Sequence, residues 1–145
     1  MSSSGDQVSE VKGVGCGTIL LAEDQTEVRS FLVSILEAHG YVVLHGADGM
    51  EAMEILAGHH GPVDLLVTDI GMAGMNGWEL ARNVLMVRPE TKVLYMSGYP
   101  GNIDESLAGS RDFHFLAKPF RPDAVVRRVR ELIGELGASG GEAEA

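Results

Sequence analysis

The sequence predicts an α/β chain built as a five-stranded parallel sheet with helices on both faces. Three observations carry this. Short apolar runs alternate with segments of helical period. Glycine or proline punctuates most of the joins. The run from Val63 to Thr68 is almost continuously apolar, as a strand covered on both faces must be.

The first strand is Ile19-Leu20-Leu21-Ala22. Val28, Phe31, Leu32, Ile35 and Leu36 follow at i, i+3, i+4, i+7 and i+8, one face of a helix that Gly40 stops. Tyr41 to Leu44 is a second strand. Ala52, Ile55 and Leu56 stripe a second helix, which ends near Gly58. After the third strand, Leu80, Ala81, Val84 and Leu85 mark a helix closed by Pro89, and Lys92 to Met96 is a fourth strand. Gly98, Pro100, Gly101 and Gly109 weaken the next segment, so any fourth helix there is short. Phe113 to Ala117 is the fifth strand, and Val125, Val129, Leu132, Ile133 and Leu136 stripe a last helix. Five β-α units imply right-handed crossovers and the flavodoxin-like strand order 2-1-3-4-5, with a switch point between strands 1 and 3.

The 145 residues suit one domain, and 45% hydrophobic composition supplies a core. The domain is expected over 18–136. Residues 1–17, rich in Ser and Gly, read as a flexible lead-in or linker, and 137–145 as a flexible tail. Frayed ends of a stand-alone chain fit those two segments as well as the joins of an excised piece do. A formal charge of −10 argues against a nucleic-acid binder, which needs a basic footprint. No apolar run reaches the ~20 residues of a membrane span. The N-terminus lacks the basic-then-apolar order of a secretory signal, and the single Cys16 excludes an internal disulfide, so a cytoplasmic location is expected.

In such a sheet ligands bind at the carboxyl ends of the strands. Those ends deliver Glu23 and Asp24, then Asp69, then Ser97, then Lys118. Three carboxylates suit a hard divalent cation such as Mg²⁺, and a lysine and a hydroxyl suit a phosphoryl group. Each residue also has a plainer reading. Asp24 is a good helix N-cap, Asp69 a good turn residue, Lys118 a solvated strand end, and Ser97 a turn serine on a mobile loop before Gly98. Together they favour a cation and phosphate site. A carboxylate helped by a cation, a lysine and a small donor can act as a covalent phosphoryl acceptor. Pro119 allows a cis peptide after Lys118.

Other signals carry less. Gly13, Gly15 and Gly17 precede a strand rather than follow one, so they form no dinucleotide fingerprint. GMAGMNG lacks the GK[ST] of a phosphate loop. His39, His45, His59, His60 and His114 show no metal spacing and read as surface or loop residues. Arg121, Arg127, Arg128 and Arg130 read as a solvated face of the last helix, with a partner-docking patch as the alternative.

The acidic pair in LLAEDQ, the acid in VTDIGMAGMNG, the hydroxyl in MSGY and the lysine in AKPF, in this order and spacing, resemble the receiver domain of two-component response regulators over about residues 17–136. The resemblance implies that Asp69 is the phosphoacceptor. It implies Mg²⁺ (or Mn²⁺) on Asp24, Asp69 and the carbonyl of Gly71, with Glu23 acting through water. Ser97 and Lys118 would contact the phosphoryl oxygens. Phe115 falls at the family's aromatic switch position, although a core phenylalanine is an equal reading. Gly71 and Tyr99 stand where the family tunes phosphoryl lifetime. Ala73 replaces a frequent proline, Glu23 is a tolerated variant of Asp, and Phe115 replaces a frequent tyrosine.

Implied partners are a histidine kinase or histidine phosphotransfer domain, and a downstream partner read through the face of the fourth helix, fifth strand and last helix. The chain alone would be no enzyme beyond assisting its own phosphorylation and dephosphorylation. GTILLAED, LYMSGY and FLAKPF look most like the C-terminal receiver of a hybrid sensor histidine kinase, which would make 1–17 a tether. A phosphorylation-independent interaction module of the same fold is the alternative. A flavodoxin-type cofactor carrier is disfavoured, because EDQTEVR offers acids where a phosphate loop needs hydroxyls.

Overall fold

A computed structural model describes residues 17–98 and 114–142, with side chains described up to residue 133. The strands are β1 (Thr18–Ala22), β2 (Val42–Gly46), β3 (Leu65–Asp69), β4 (Lys92–Ser97) and β5 (Phe115–Ala117). The helices are α1 (Thr26–Ala38), α2 (Gly49–Ala57), α3 (Gly77–Val87) and α4 (Pro122–Glu142). All strand pairs are parallel, in the order β2-β1-β3-β4-β5, which is the expected 2-1-3-4-5. The expected fourth helix, within 98–109, and Tyr99 and Phe113 lie outside the described residues.

Alternation along each strand divides the core into two layers. Ile19, Leu21, Leu65, Val67, Leu94 and Met96 face α1 and α4, meeting Leu32, Leu36, Val125 and Val129. Leu20, Leu66, Val93 and Tyr95 face α2 and α3, meeting Ala52, Leu56, Leu80 and Val84. Every residue of β3 is buried. At about 1.5–3 kcal/mol for each fully buried large apolar side chain, these two layers hold the sheet in one register.

Local chemistry sets the helix starts. Asp48 caps α2 by accepting from the Glu51 N–H at 2.8 Å. Asn76 and Glu79 form a reciprocal capping box at α3. After α1 the chain turns at Gly40, whose φ of 95° suits glycine, and the N–H of Tyr41 returns to the carbonyl of Leu36. The last helix runs to Glu142, past the start of the tail read from the sequence at 137. Once a helix is nucleated, propagation adds one backbone hydrogen bond for each residue fixed.

The parallel register brings the carboxyl ends of four strands to one rim. Ala22 pairs with Thr68, Asp69 with Met96, and Ser97 with Ala117.

Candidate functional site

Glu23 follows β1 directly. Its N–H still donates to the Gly46 carbonyl at 3.2 Å, which turns its side chain inward, and it is wholly buried. A buried carboxylate needs partners. Oε2 accepts from the Gln25 N–H at 3.0 Å, and Oε1 accepts from Lys118 Nζ at 3.0 Å. Arg29 Nη1 donates to the Glu23 carbonyl at 2.8 Å, tying α1 to the same corner. Asp24, next along, is exposed.

Asp69 ends β3 and is 8% exposed. Lys118 follows β5, where its N–H donates to the Ser97 carbonyl at 3.0 Å, and its Nζ reaches Asp69 Oδ2 at 3.3 Å. The Lys118–Pro119 peptide is cis. A cleft of about 850 Å³ opens here, lined by Asp24, Asp69, Gly71, Ser97 and Lys118, with Val28, Phe31 and Phe120 as an apolar wall.

Carboxylate oxygens of Glu23, Asp24 and Asp69 lie within 4.8 Å of one another. Three carboxylates against one ammonium leave a formal charge of −2, and hard oxygens crowded together suit a divalent cation. The titration directions agree. Burial pushes Glu23 above the ordinary carboxylate range, and the nearby Asp69 charge adds to this, against the Gln25 N–H and Lys118. Burial likewise raises Asp69, and Asp24 adds to it, against Lys118 and the Gly71 N–H. Burial works against the Lys118 charge, but the Glu23 and Asp69 carboxylates outweigh it and hold the ammonium above its usual range. Both buried acids are thus short of positive charge even with Lys118 in place.

The structure brings Glu23, Asp24, Asp69, Gly71, Ser97 and Lys118 to one rim, sets aside the plainer readings of Asp24 and Lys118, and corrects the readings of Ser97 and of two histidines. Asp24 is not the cap of α1; Gln25 stands there, and its side chain makes no cap bond. Ser97 is not on a loop; it is the last residue of β4 and only 3% exposed, because its pairing with Ala117 extends the strand. Lys118 is not solvated; it closes an ion pair with Glu23, 95 residues away in sequence. His39 and His59 are half-buried, with His39 Nδ1 2.9 Å from the Ile35 carbonyl oxygen. Phe115 packs half-buried against the α2–α3 layer, in register with Tyr95, whose ring lies 4.5 Å from that of Trp78. Of the arginines, Arg121 pairs with Asp123 and Arg128 with Glu131.

Sequence reasoning missed Gln25, Arg29 and the apolar wall of the cleft. The amphipathic stripe had named Val28 and Phe31, but as core rather than as lining.

No helix among the described residues is long and apolar enough to cross a membrane. The family model for the response regulator receiver domain matches residues 19–130. The sensor kinase CckA of Brucella abortus (strain 2308) is 36% identical over 120 residues, which are 82% of this chain and 13% of that protein. The response regulator receiver protein CpdR of the same strain is 37% identical over 116 residues, 79% of this chain and 95% of that protein. The chain therefore spans about an eighth of one relative and nearly all of the other.

The solved receiver domain of the hybrid histidine kinase CckA superposes with a TM-score of 0.70 at 33% identity, covering 81% of this chain and 99% of that one. The response regulator TrrA of Thermotoga maritima, solved with Mg²⁺ and BeF, gives 0.68 at 25% identity, covering 80% and 98%. With the sheet order, the rim of acids and the match over 19–130 together, this chain belongs to the response regulator receiver domain family of two-component systems, whose function is to accept a phosphoryl group.

Proposed function

We propose that this receiver accepts its phosphoryl group on Asp69, from the phosphohistidine of a histidine kinase or a histidine phosphotransfer domain. The observation that carries the assignment is the position of Asp69. It alone touches both the acidic cluster and Lys118 while lining the cleft; Glu23 is wholly buried, and Asp24 is exposed and meets only the acids.

An Asp69 carboxylate oxygen forms the new O–P bond as the P–N bond to the donor imidazole breaks. The electron pair stays on that ring nitrogen, which takes a proton from solvent. Lys118 already stands beside the acceptor, so its ammonium is placed to pair with phosphoryl oxygens as their charge shifts. The buried Ser97, on the same cleft, supplies a small hydroxyl for another phosphoryl oxygen. Asp24, Asp69 and the Gly71 carbonyl would hold Mg²⁺ or Mn²⁺, with Glu23 behind them. A bound ion would offset the charge that otherwise repels acceptor from donor. Glu23 keeps Lys118 in place until the phosphoryl group arrives.

Phe115, in register with Tyr95 and two residues before Ala117, the partner of Ser97, is the aromatic through which the change at Ser97 is passed to a downstream partner. That reading places the output on the face of the expected fourth helix, which lies outside the described residues, with β5 and α4.

Incubation with acetyl phosphate and Mg²⁺ should add one phosphate to the wild type by intact mass, and none to Asp69→Asn. Equal labelling of both proteins removes the assignment. A wild type that takes no phosphate leaves the phosphorylation-independent module as the reading.

A further inference from the structure

Two residues that do not line the cleft touch the main chain of Asp69. Thr68 is wholly buried, and its hydroxyl donates to the Asp69 carbonyl oxygen at 2.9 Å. Gly77, the first residue of α3, is buried against the same peptide. Its N–H donates to the Ile70 carbonyl at 2.9 Å. A Cβ built on Gly77 would overlap the Asp69 carbonyl oxygen and lie 2.8 Å from Ile70 Cα. On the other side, the Ile70 N–H donates to the Met96 carbonyl at 3.0 Å. The peptide after Asp69 is thus gripped by its own strand, by the start of α3 and by β4.

We infer that Thr68 and Gly77 are positioning residues for phosphoryl transfer, locating the Asp69 main chain so that its carboxylate stands between Asp24 and Lys118. The inference rests on Asp69 as the acceptor. What Gly77 abuts is main chain, which has no flexible end to swing aside, so a methyl group there moves Asp69 or α3. Loss of the Thr68 hydroxyl frees one side of the same carbonyl. Both changes act on the position of the acceptor. A misplacement of about 1 Å can cost on the order of a hundredfold in rate.

The competing account is that both residues serve stability alone. Thr91 separates the two. It is also a buried threonine (5% exposed), and its hydroxyl donates to the Val63 carbonyl at 2.7 Å, at the opposite end of the sheet. Thr91→Val therefore loses the same kind of bond far from Asp69.

The test measures the initial rate of phosphate incorporation from acetyl phosphate at saturating Mg²⁺, well below each variant's thermal midpoint. Thr91→Val should lower the midpoint but keep the rate within about twofold. Thr68→Val and Gly77→Ala should slow it by about tenfold or more. Thr68→Ser, which keeps the hydroxyl, should recover it to within about threefold. If Thr68→Val labels as fast as Thr91→Val, the inference is wrong; the Thr68 set decides it even if Gly77→Ala does not fold. A wild type that takes no phosphate, or Asp69→Asn that labels like wild type, overturns the acceptor assignment and the inference with it.

Discussion

Asp69 is placed where its charge is costly and useful at once. Burial and Asp24 raise its pKa even with Lys118 at 3.3 Å. A carboxyl raised in the folded state contributes stability that is fully present below its unfolded value of 3.8 and is lost as pH rises through the folded value. At pH 7 the metal-free wild type has lost that contribution, whereas an amide never ionises. Asp69→Asn in EDTA at pH 7 should therefore melt higher than wild type. The difference should shrink as pH falls through the raised pKa toward 3.8. Scanning calorimetry at a series of pH values checks this, and an equal or lower midpoint at pH 7 counts against the charge balance described here. Glu23 shows the limit of reading single residues. The sequence places it at a strand end beside a cation, but its carboxylate also closes on Lys118 at 3.0 Å, and nothing local in either residue signals that pair.

At the scale of elements, what matters is where helices start and strands stop. α3 begins with a capping box directly after the loop that follows Asp69, so the same few residues start the helix and back the acceptor. Asn76→Ala removes the side-chain half of that box and should cost about 0.5–2 kcal/mol in urea unfolding. A loss below that range would mean that the Gly77 N–H bond to Ile70, not the cap, starts the helix. α1 contrasts with it. Its N-cap, Gln25, makes no side-chain bond, and the Gln25 N–H goes to Glu23 instead, so the first turn serves the site rather than its own helix. Helix periods were legible because apolar spacing is local: the stripes at Val28–Leu36, Ala52–Leu56 and Leu80–Leu85 all lie in helices. Ends were less legible. Ser97 read as loop because Gly98 follows it, yet pairing with β5 carries β4 one residue further.

Over the whole molecule, the sheet holds three like charges close together against a single ammonium. A cation that binds only the folded state adds stability by mass action, about 2.7 kcal/mol at a hundredfold excess over Kd. Mg²⁺ should accordingly raise the thermal midpoint of the wild type, and EDTA should reverse it. Asp69→Asn should show a smaller rise at the same Mg²⁺ concentration, since it lacks one of the three carboxylates. An equal rise in both would place the ion elsewhere.

The sequence by itself determined the β-α alternation, the parallel sheet and which chemical groups stand at the strand ends, because periodicity and punctuation are properties of neighbouring residues. It also held the motifs that place the chain in its family. Only the tertiary structure decided that Glu23 closes on Lys118, that Asp24 is free of helix capping, that Ser97 belongs to β4, and that Thr68 and Gly77 grip the Asp69 peptide. Each of these depends on register between strands or on the approach of α3 to β3. Such distances are set by how two packed layers close over one sheet, and no spacing within a single element encodes them.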